Sequence, residues 1–281
     1  MDFPVKGGVG VITGAASGIG AALAVNLARR GMHLALADRN PAGLAATAAA
    51  ARAAGVTVSE HILDVRDTEA LTALPEAVLA AHGRVTLLVN NAGVALMGSF
   101  EQVAMDDFAW IMDINFWAPV RLTRAFMYAL HREQAAHIVN ISSIFGIIGV
   151  PGNVPYCASK FAIRGFSEAL RHELIGSNIT LTVVHPGGIK TAIADSARLS
   201  QGIDPAEAKN ATAEFNKLLK TLPADAAEQI AVAVVKRRGR LLIGGDARMV
   251  DWMQRIFPMT YWKRLARGQQ NVAAAMAPSK E

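Results

Sequence analysis

Short apolar runs alternate with longer amphipathic segments along most of the chain. Strand-like runs fall at Val9 to Thr13, His33 to Asp38, Thr57 to Leu63, Val85 to Asn90, His137 to Ser142, Ile179 to His185 and Arg240 to Ile243. Between the first of them, Ala-rich stretches at Ile19 to Arg30, Pro41 to Ala54 and Asp67 to His82 repeat their apolar positions at helical spacing. Repeated strand, helix, strand order predicts an α/β fold: a doubly wound parallel sheet of about seven strands, with helices on both faces and right-handed crossovers.

Two segments depart from that rhythm. Ala192 to Leu222 is polar and helical in pattern and interrupts the alternation after the sixth strand. Ligands bind beyond the carboxyl ends of strands in open α/β sheets, so an insertion there is a candidate substrate lid rather than a surface excursion. The second is a helical extension over about residues 246–270, where Met249, Trp252, Met253, Ile256, Phe257, Tyr261 and Trp262 mix with basic residues. This composition suits packing or oligomer contact first, with capping of a pocket or contact with a membrane surface as alternatives. Ala273 to Glu281 reads as a frayed end.

With 281 residues and no linker, repeat or shift in composition, the chain reads as one domain whose core spans about residues 5–245. Hydrophobic residues make up 52% of it and aromatics only 6%, so the core must be built from aliphatic side chains. The formal net charge of +5 is scattered apart from Lys236, Arg237, Arg238, Arg240, Lys263, Arg264 and Arg267, so no nucleic-acid partner is expected. A single cysteine, Cys157, excludes an intrachain disulfide. The first residues lack the pattern of a secretory signal, which makes a cytoplasmic protein the expectation. No metal site is expected either.

The first strand runs into Thr13-Gly14-Ala15-Ala16-Ser17-Gly18-Ile19-Gly20, which opens a helix. Glycines there permit a tight turn and close approach of backbone to a pyrophosphate at the helix N-terminus. Asp38 ends the second strand, eighteen positions after Gly20, where a carboxylate can accept from both ribose hydroxyls of an adenosine. It would repel a 2′-phosphate, which favours NAD. Arg39 beside it could pair with that phosphate, and keeps NADP as the alternative.

Tyr156 and Lys160 lie four apart on a predicted helix and so share a face. A nearby ammonium favours the tyrosinate and is expected to lower the phenol pKa, making Tyr156 a general base for alcohol oxidation or an acid for carbonyl reduction.

Taken together, the glycine motif, Asn90-Asn91-Ala92-Gly93, Asn115, Ser143, Tyr156-Cys157-Ala158-Ser159-Lys160 and Pro186-Gly187-Gly188-Ile189-Lys190-Thr191 resemble the classical short-chain dehydrogenase/reductase family in order and spacing. The resemblance covers roughly residues 5–245. It implies a Rossmann-type fold, a nicotinamide cofactor and a homodimer or homotetramer. It further implies that Ser143 binds the substrate oxygen, Ser142 being the competing candidate, and that Asn115 holds a water beside Lys160. Cofactor contacts are implied for Gly14, Ser17, Gly18, Ile19, Gly20, Asp38, Arg39, Asp64, Val65, Asn91, Ala92, Gly93, Tyr156, Lys160, Pro186, Gly187, Ile189 and Thr191.

Pocket residues should come from the loops after the fourth and fifth strands and from the insertion: Val94, Leu96, Met97, Ser143, Ile144, Phe145, Ile148, Val150 and Gly188. They are almost all apolar, which points to an uncharged, fairly apolar secondary alcohol or ketone. The rival readings are an NADP-dependent carbonyl reductase of the same family and a non-catalytic nicotinamide-binding regulator or scaffold.

Overall fold

A computed structural model describes residues 2–203 and 205–268. The central sheet is parallel throughout, with β1 (Val9–Thr13), β2 (His33–Asp38), β3 (Val58–Ile62), β4 (Leu87–Asn90), β6 (Ala136–Ile141), β7 (Ile179–Pro186) and β9 (Arg240–Ile243) in the order β3-β2-β1-β4-β6-β7-β9. The order reverses between β1 and β4, which opens a crevice at their carboxyl ends.

Alternation along the strands sorts the side chains onto two faces. Val11, Leu88 and Ile138 point to one, and Ile12, Leu87 and Val139 to the other. On the Ile12 face lie α1 (Gly18–Arg29), α2 (Pro41–Arg52) and α8 (Pro223–Val235), whose alanines allow close approach. The Val11 face is covered by α3 (Thr68–His82), α5 (Ala118–His131) and the C-terminal end of α6 (Val154–Glu173), with Phe126 fully buried at its centre. Truncating Phe126 to Ala would cost about 3–5 kcal/mol.

The helix starts follow their local chemistry. Asp67 caps α3 by accepting from the backbone N–H groups of Glu69 and Ala70, and Asn40 caps α2 by accepting from Gly43 N ahead of Pro41. The helix α4 (Met105–Met112) runs into α5 through a π-helical turn, Asp113–Trp117. That widened turn carries Asn115.

Two short strands lie outside the periodic pattern. β5 (Leu96–Met97) pairs in parallel with β8 (Arg198–Leu199), so the insertion is stitched to the loop after β4 before it forms α7 (Pro205–Leu218). The expected C-terminal extension is present as α9 (Gly245–Ile256) and α10 (Tyr261–Gly268). The end of that extension and the segment Ala273 to Glu281 lie outside the described residues.

Candidate active site

The glycine turn after β1 is shaped by contacts that exclude a side chain. Gly14 has φ +65°, and a Cβ there would stand 2.8 Å from Ala92 Cα; a Cβ on Gly20 would collide with the Gly14 carbonyl. Asn91 locks this turn by donating from Nδ2 to the carbonyls of Thr13 and Gly14 at 2.9 and 3.0 Å. Its amide therefore builds the floor of the crevice. Thr13 Oγ1 accepts from the N–H groups of Asn91 and Ala92, each at 3.2 Å, which joins the ends of β1 and β4. Ser17 is the N-cap of α1, yet its side chain makes no capping bond, and Ile19 lies just inside the helix.

At the far side of the turn, Asp38 accepts from Ala16 N at 3.0 Å through Oδ2 and from Asn40 N at 2.9 Å through Oδ1. These bonds fix the carboxylate at the carboxyl end of β2, while Arg39 is exposed. Asp64 is held by Arg66, whose guanidinium donates to it at 2.8 Å and keeps its carboxyl below the usual range; Arg39 adds a weaker effect of the same sign. Val65 is half-buried next to it. Across the crevice, the Thr191 side chain lies against Gly18, with Cγ2 3.2 Å from where a Cβ would stand. The segment after β7 thus reaches back to the glycine turn.

The end of β6 separates the two serines. Ser142 is buried and donates from Oγ to the Lys160 carbonyl at 2.8 Å. Ser143 has extended backbone and caps the short turn Ile144–Gly146, its Oγ accepting from Phe145 N at 3.1 Å. The Ser143 side chain also lies close enough to the Tyr156 phenol to favour its ionised form. Ser143 is therefore the serine that meets the phenol. Behind it, fully buried His185 donates from Nδ1 to the Ser143 carbonyl at 3.0 Å, and burial pushes this imidazole down to about 4. Its neutral form is the one that fits there.

Lys160 is buried, donates from Nζ to the Ile141 carbonyl at 3.2 Å, and lies 5.7 Å from the Tyr156 ring centroid. Burial pushes Lys160 down to about 8 and Tyr156 up to about 12, the nearby Ser143 side chain partly opposing the latter. This departs from the expected fall of the phenol pKa. Both groups are desolvated, and for the phenol burial outweighs the help it receives from Ser143.

Asn115 is buried and bonded on three sides. Its Oδ1 accepts from Val94 N at 2.9 Å, and its Nδ2 donates to Val94 O and to Ser159 Oγ, each at 3.0 Å. Ser159 in turn donates to the Tyr156 carbonyl at 2.8 Å. Asn115 thereby ties the loop after β4 to the helix carrying Tyr156. A Cβ on Gly93 would lie 3.2 Å from Asn115 Oδ1 and 3.4 Å from Lys160 Nζ, so glycine at this position keeps the polar gap between them open.

On the substrate side, Phe145 meets Tyr156 edge-on with centroids 5.9 Å apart. Leu96 is fully buried in β5, with Met97 beside it half-buried. Ile148 and Val150 turn into a small core with Cys157, Val250, Tyr261 and Trp262. Tyr261 reaches this loop through its hydroxyl, which accepts from Gly149 N at 2.8 Å and donates to Gly149 O at 3.4 Å. Gly188 N donates to Asp246 Oδ2 at 2.7 Å, and a Cβ on Gly187 would run into the same carboxylate. Pro186 ends β7, and Ile189 is buried and bridges to Thr221. Asp246 and His185 are not singled out by the sequence, and Tyr261 stands out there only as part of the apolar C-terminal extension; paired glycines at 187 and 188 are the one local sign that another group approaches there.

The insertion is latched at β8. Arg198 donates from Nη1 to Asp107 Oδ1 at 2.6 Å and lays its guanidinium 4.0 Å from the Trp110 ring centroid. Both partners lie on α4.

The family model described as short chain dehydrogenase matches residues 9–202. A Mycobacterium tuberculosis protein, named as an oxidoreductase, SadH, is 43% identical over 267 residues, covering 94% of this chain and 95% of that one. A short chain dehydrogenase/reductase from Burkholderia phymatum, solved in complex with NAD, superposes with a TM-score of 0.80 at 30% identity, covering 99% of each chain. An alcohol dehydrogenase from Thermococcus sibiricus, complexed with 5-hydroxy-NADP, gives a TM-score of 0.72 at 26% identity over 84% of this chain and 95% of its own. With the family model spanning well over half of its length, this chain belongs to the short-chain dehydrogenase/reductase family, oxidoreductases that work with NAD or NADP.

Proposed function

We propose that the protein transfers a hydride between a nicotinamide dinucleotide and an uncharged, fairly apolar secondary alcohol or ketone, with Tyr156 as the general acid or base. The observation that carries this reading is the convergence of Ser143, Tyr156 and Lys160 at the carboxyl end of β6, with Phe145 against the phenol. In reduction, Tyr156 donates its proton to the substrate oxygen while Ser143 Oγ stabilises the charge developing there. In oxidation the phenol must first lose its proton, so a phenol held near 12 makes that direction accelerate with pH. Bound nicotinamide supplies the two-electron acceptor or donor.

The residues fit such a cofactor. Gly14, Gly18 and Gly20 leave a cradle that any Cβ would fill, and the first turn of α1 faces a phosphate there. Asp38 would hold the ribose hydroxyls, and Thr191 would close over the other end of the crevice. Lys160 would bind a ribose hydroxyl, and a water in the gap beside Gly93 would connect it to Asn115. Val94, Met97 and Phe145 would face the substrate.

NAD is the cofactor this reading favours, because Asp38 is fixed by two backbone donors. The second reading, NADP, is supported by Arg39, which is exposed and close enough to influence Asp64. Comparing kcat/KM for NADH and NADPH across a panel of ketones tests both. NADH is expected to be preferred, and Asp38→Ala to narrow the preference by about tenfold or more. A wild-type preference for NADPH would overturn the choice of cofactor. Exposed Trp117 and Phe161 fit the expected assembly into a homodimer or homotetramer.

A further inference from the structure

The two C-terminal helices have opposed faces. Inward, Val250 of α9 and Tyr261, Trp262 and Leu265 of α10 pack on the loop beside Tyr156. Outward, Met249, Trp252 and Ile256 follow at steps of three and four along α9, and remain 52%, 69% and 49% exposed. Met259, in the turn between the helices, extends the stripe at 90% exposure. Scattered apolar residues on a surface mean little, but a continuous aromatic and thioether stripe on a terminal helix pair calls for a partner.

The charges around the stripe say which kind. Arg248, Lys263 and Arg264 are exposed beside it, and the Arg264 guanidinium lies 3.8 Å from the Phe257 ring centroid. The carboxylates of these helices are turned away and engaged: Asp246 accepts from Gly188 N, and buried Asp251 is held by Arg240 and Arg255. What faces outward is therefore apolar in the middle and cationic at the rim.

We propose that this face seats the protein on an anionic lipid surface, with α9 and α10 lying in the interface plane. No helix among the described residues is long and apolar enough to cross a membrane, so the contact is peripheral. A cationic helix pair with a Trp-bearing apolar stripe has the chemistry of an interfacial amphipathic segment: the stripe enters the headgroup region and the rim pairs with lipid phosphates. A second copy fits less well. A two-fold contact sets a patch against itself, which would bring Arg248, Lys263 and Arg264 of both copies together. Docking does not depend on the proposed hydride chemistry. If both hold, the lipid-seated helices are the ones that back the substrate loop, and an apolar substrate reaches it from the bilayer.

The test is co-sedimentation of the full chain with vesicles of phosphatidylcholine containing a third phosphatidylglycerol, against vesicles of phosphatidylcholine alone. The anionic vesicles should take the protein down at low salt and release it at high salt, and the neutral ones should leave it in solution. Trp252→Glu should weaken partitioning by about tenfold while melting temperature and NADH binding stay as in wild type. The milder Met249→Gln should act in the same direction. Wild-type protein that ignores anionic vesicles, or Trp252→Glu protein that still binds them as well, would overturn the proposal. So would a change of oligomeric state in lipid-free Trp252→Glu without any lipid binding by the wild type, which would assign the face to a second copy.

Discussion

Lys160 aims its ammonium at the Ile141 carbonyl, 3.2 Å away, and holds it 5.7 Å from the ring centroid of Tyr156. Both groups are shifted toward their neutral forms by burial, Lys160 to about 8 and Tyr156 to about 12. The site is thus assembled at a cost in stability, as expected of a pair kept for chemistry.

That cost is measurable. Between about 8 and 10.5 the unfolded chain keeps the Lys160 proton and the folded chain releases it, so stability rises with pH through this window. Below about 8 the full penalty is present. Lys160→Met, despite leaving the Ile141 carbonyl without its donor, is expected to raise stability at neutral pH by on the order of 2 kcal/mol. Turnover should be lost, and the stabilisation should shrink as pH rises through the window. Denaturant unfolding at a series of pH values checks it; a variant less stable than wild type at neutral pH would speak against the burial argument.

Tyr261 lies 112 positions from the loop it braces, yet holds both polar groups of Gly149. Tyr261→Phe removes the bridge and keeps the ring, at a cost of about 1 kcal/mol. The substrate KM should rise about three- to tenfold while the Kd for NADH stays the same. Equal effects on both would show that the brace is general rather than local to the substrate loop.

Arg198 holds the insertion to α4 by an ion pair with Asp107 and a stacked contact with Trp110. The pair is partly exposed, chiefly on the Arg198 side, so Arg198→Ala should change global stability by only about 1 kcal/mol. Proteolytic nicking within residues 192–222 should nevertheless accelerate several-fold and substrate KM should increase. Nicking at the wild-type rate would mean that the latch does not restrain the segment.

Much of this was legible along the chain because it is local. The boundaries of β1, β2 and β9 follow from short apolar runs ended by glycine or charge, and Tyr156 and Lys160 share a helix face by spacing alone. The choice of Ser143 over Ser142 agrees with strand alternation: Ser142 turns back to the Lys160 carbonyl and Ser143 faces the phenol. Long-range features were not legible. β5 and β8 are two residues each, too short for periodicity to register. The contacts of Tyr261 with Gly149, Asp246 with Gly188 and His185 with Ser143 depend on chain segments that only the fold brings together. The raised Tyr156 pKa differs from the fall expected from Lys160 for a related reason, since spacing reveals the ammonium beside the phenol but not the burial of both.

The most direct test of the central claim is Tyr156→Phe, assayed for turnover with NADH and a ketone and, separately, for NADH binding by fluorescence. Removing the one hydroxyl should lower kcat by roughly 10²–10⁴-fold and leave the NADH Kd within about twofold of wild type. An unchanged kcat would contradict the assignment of Tyr156 as the acid or base.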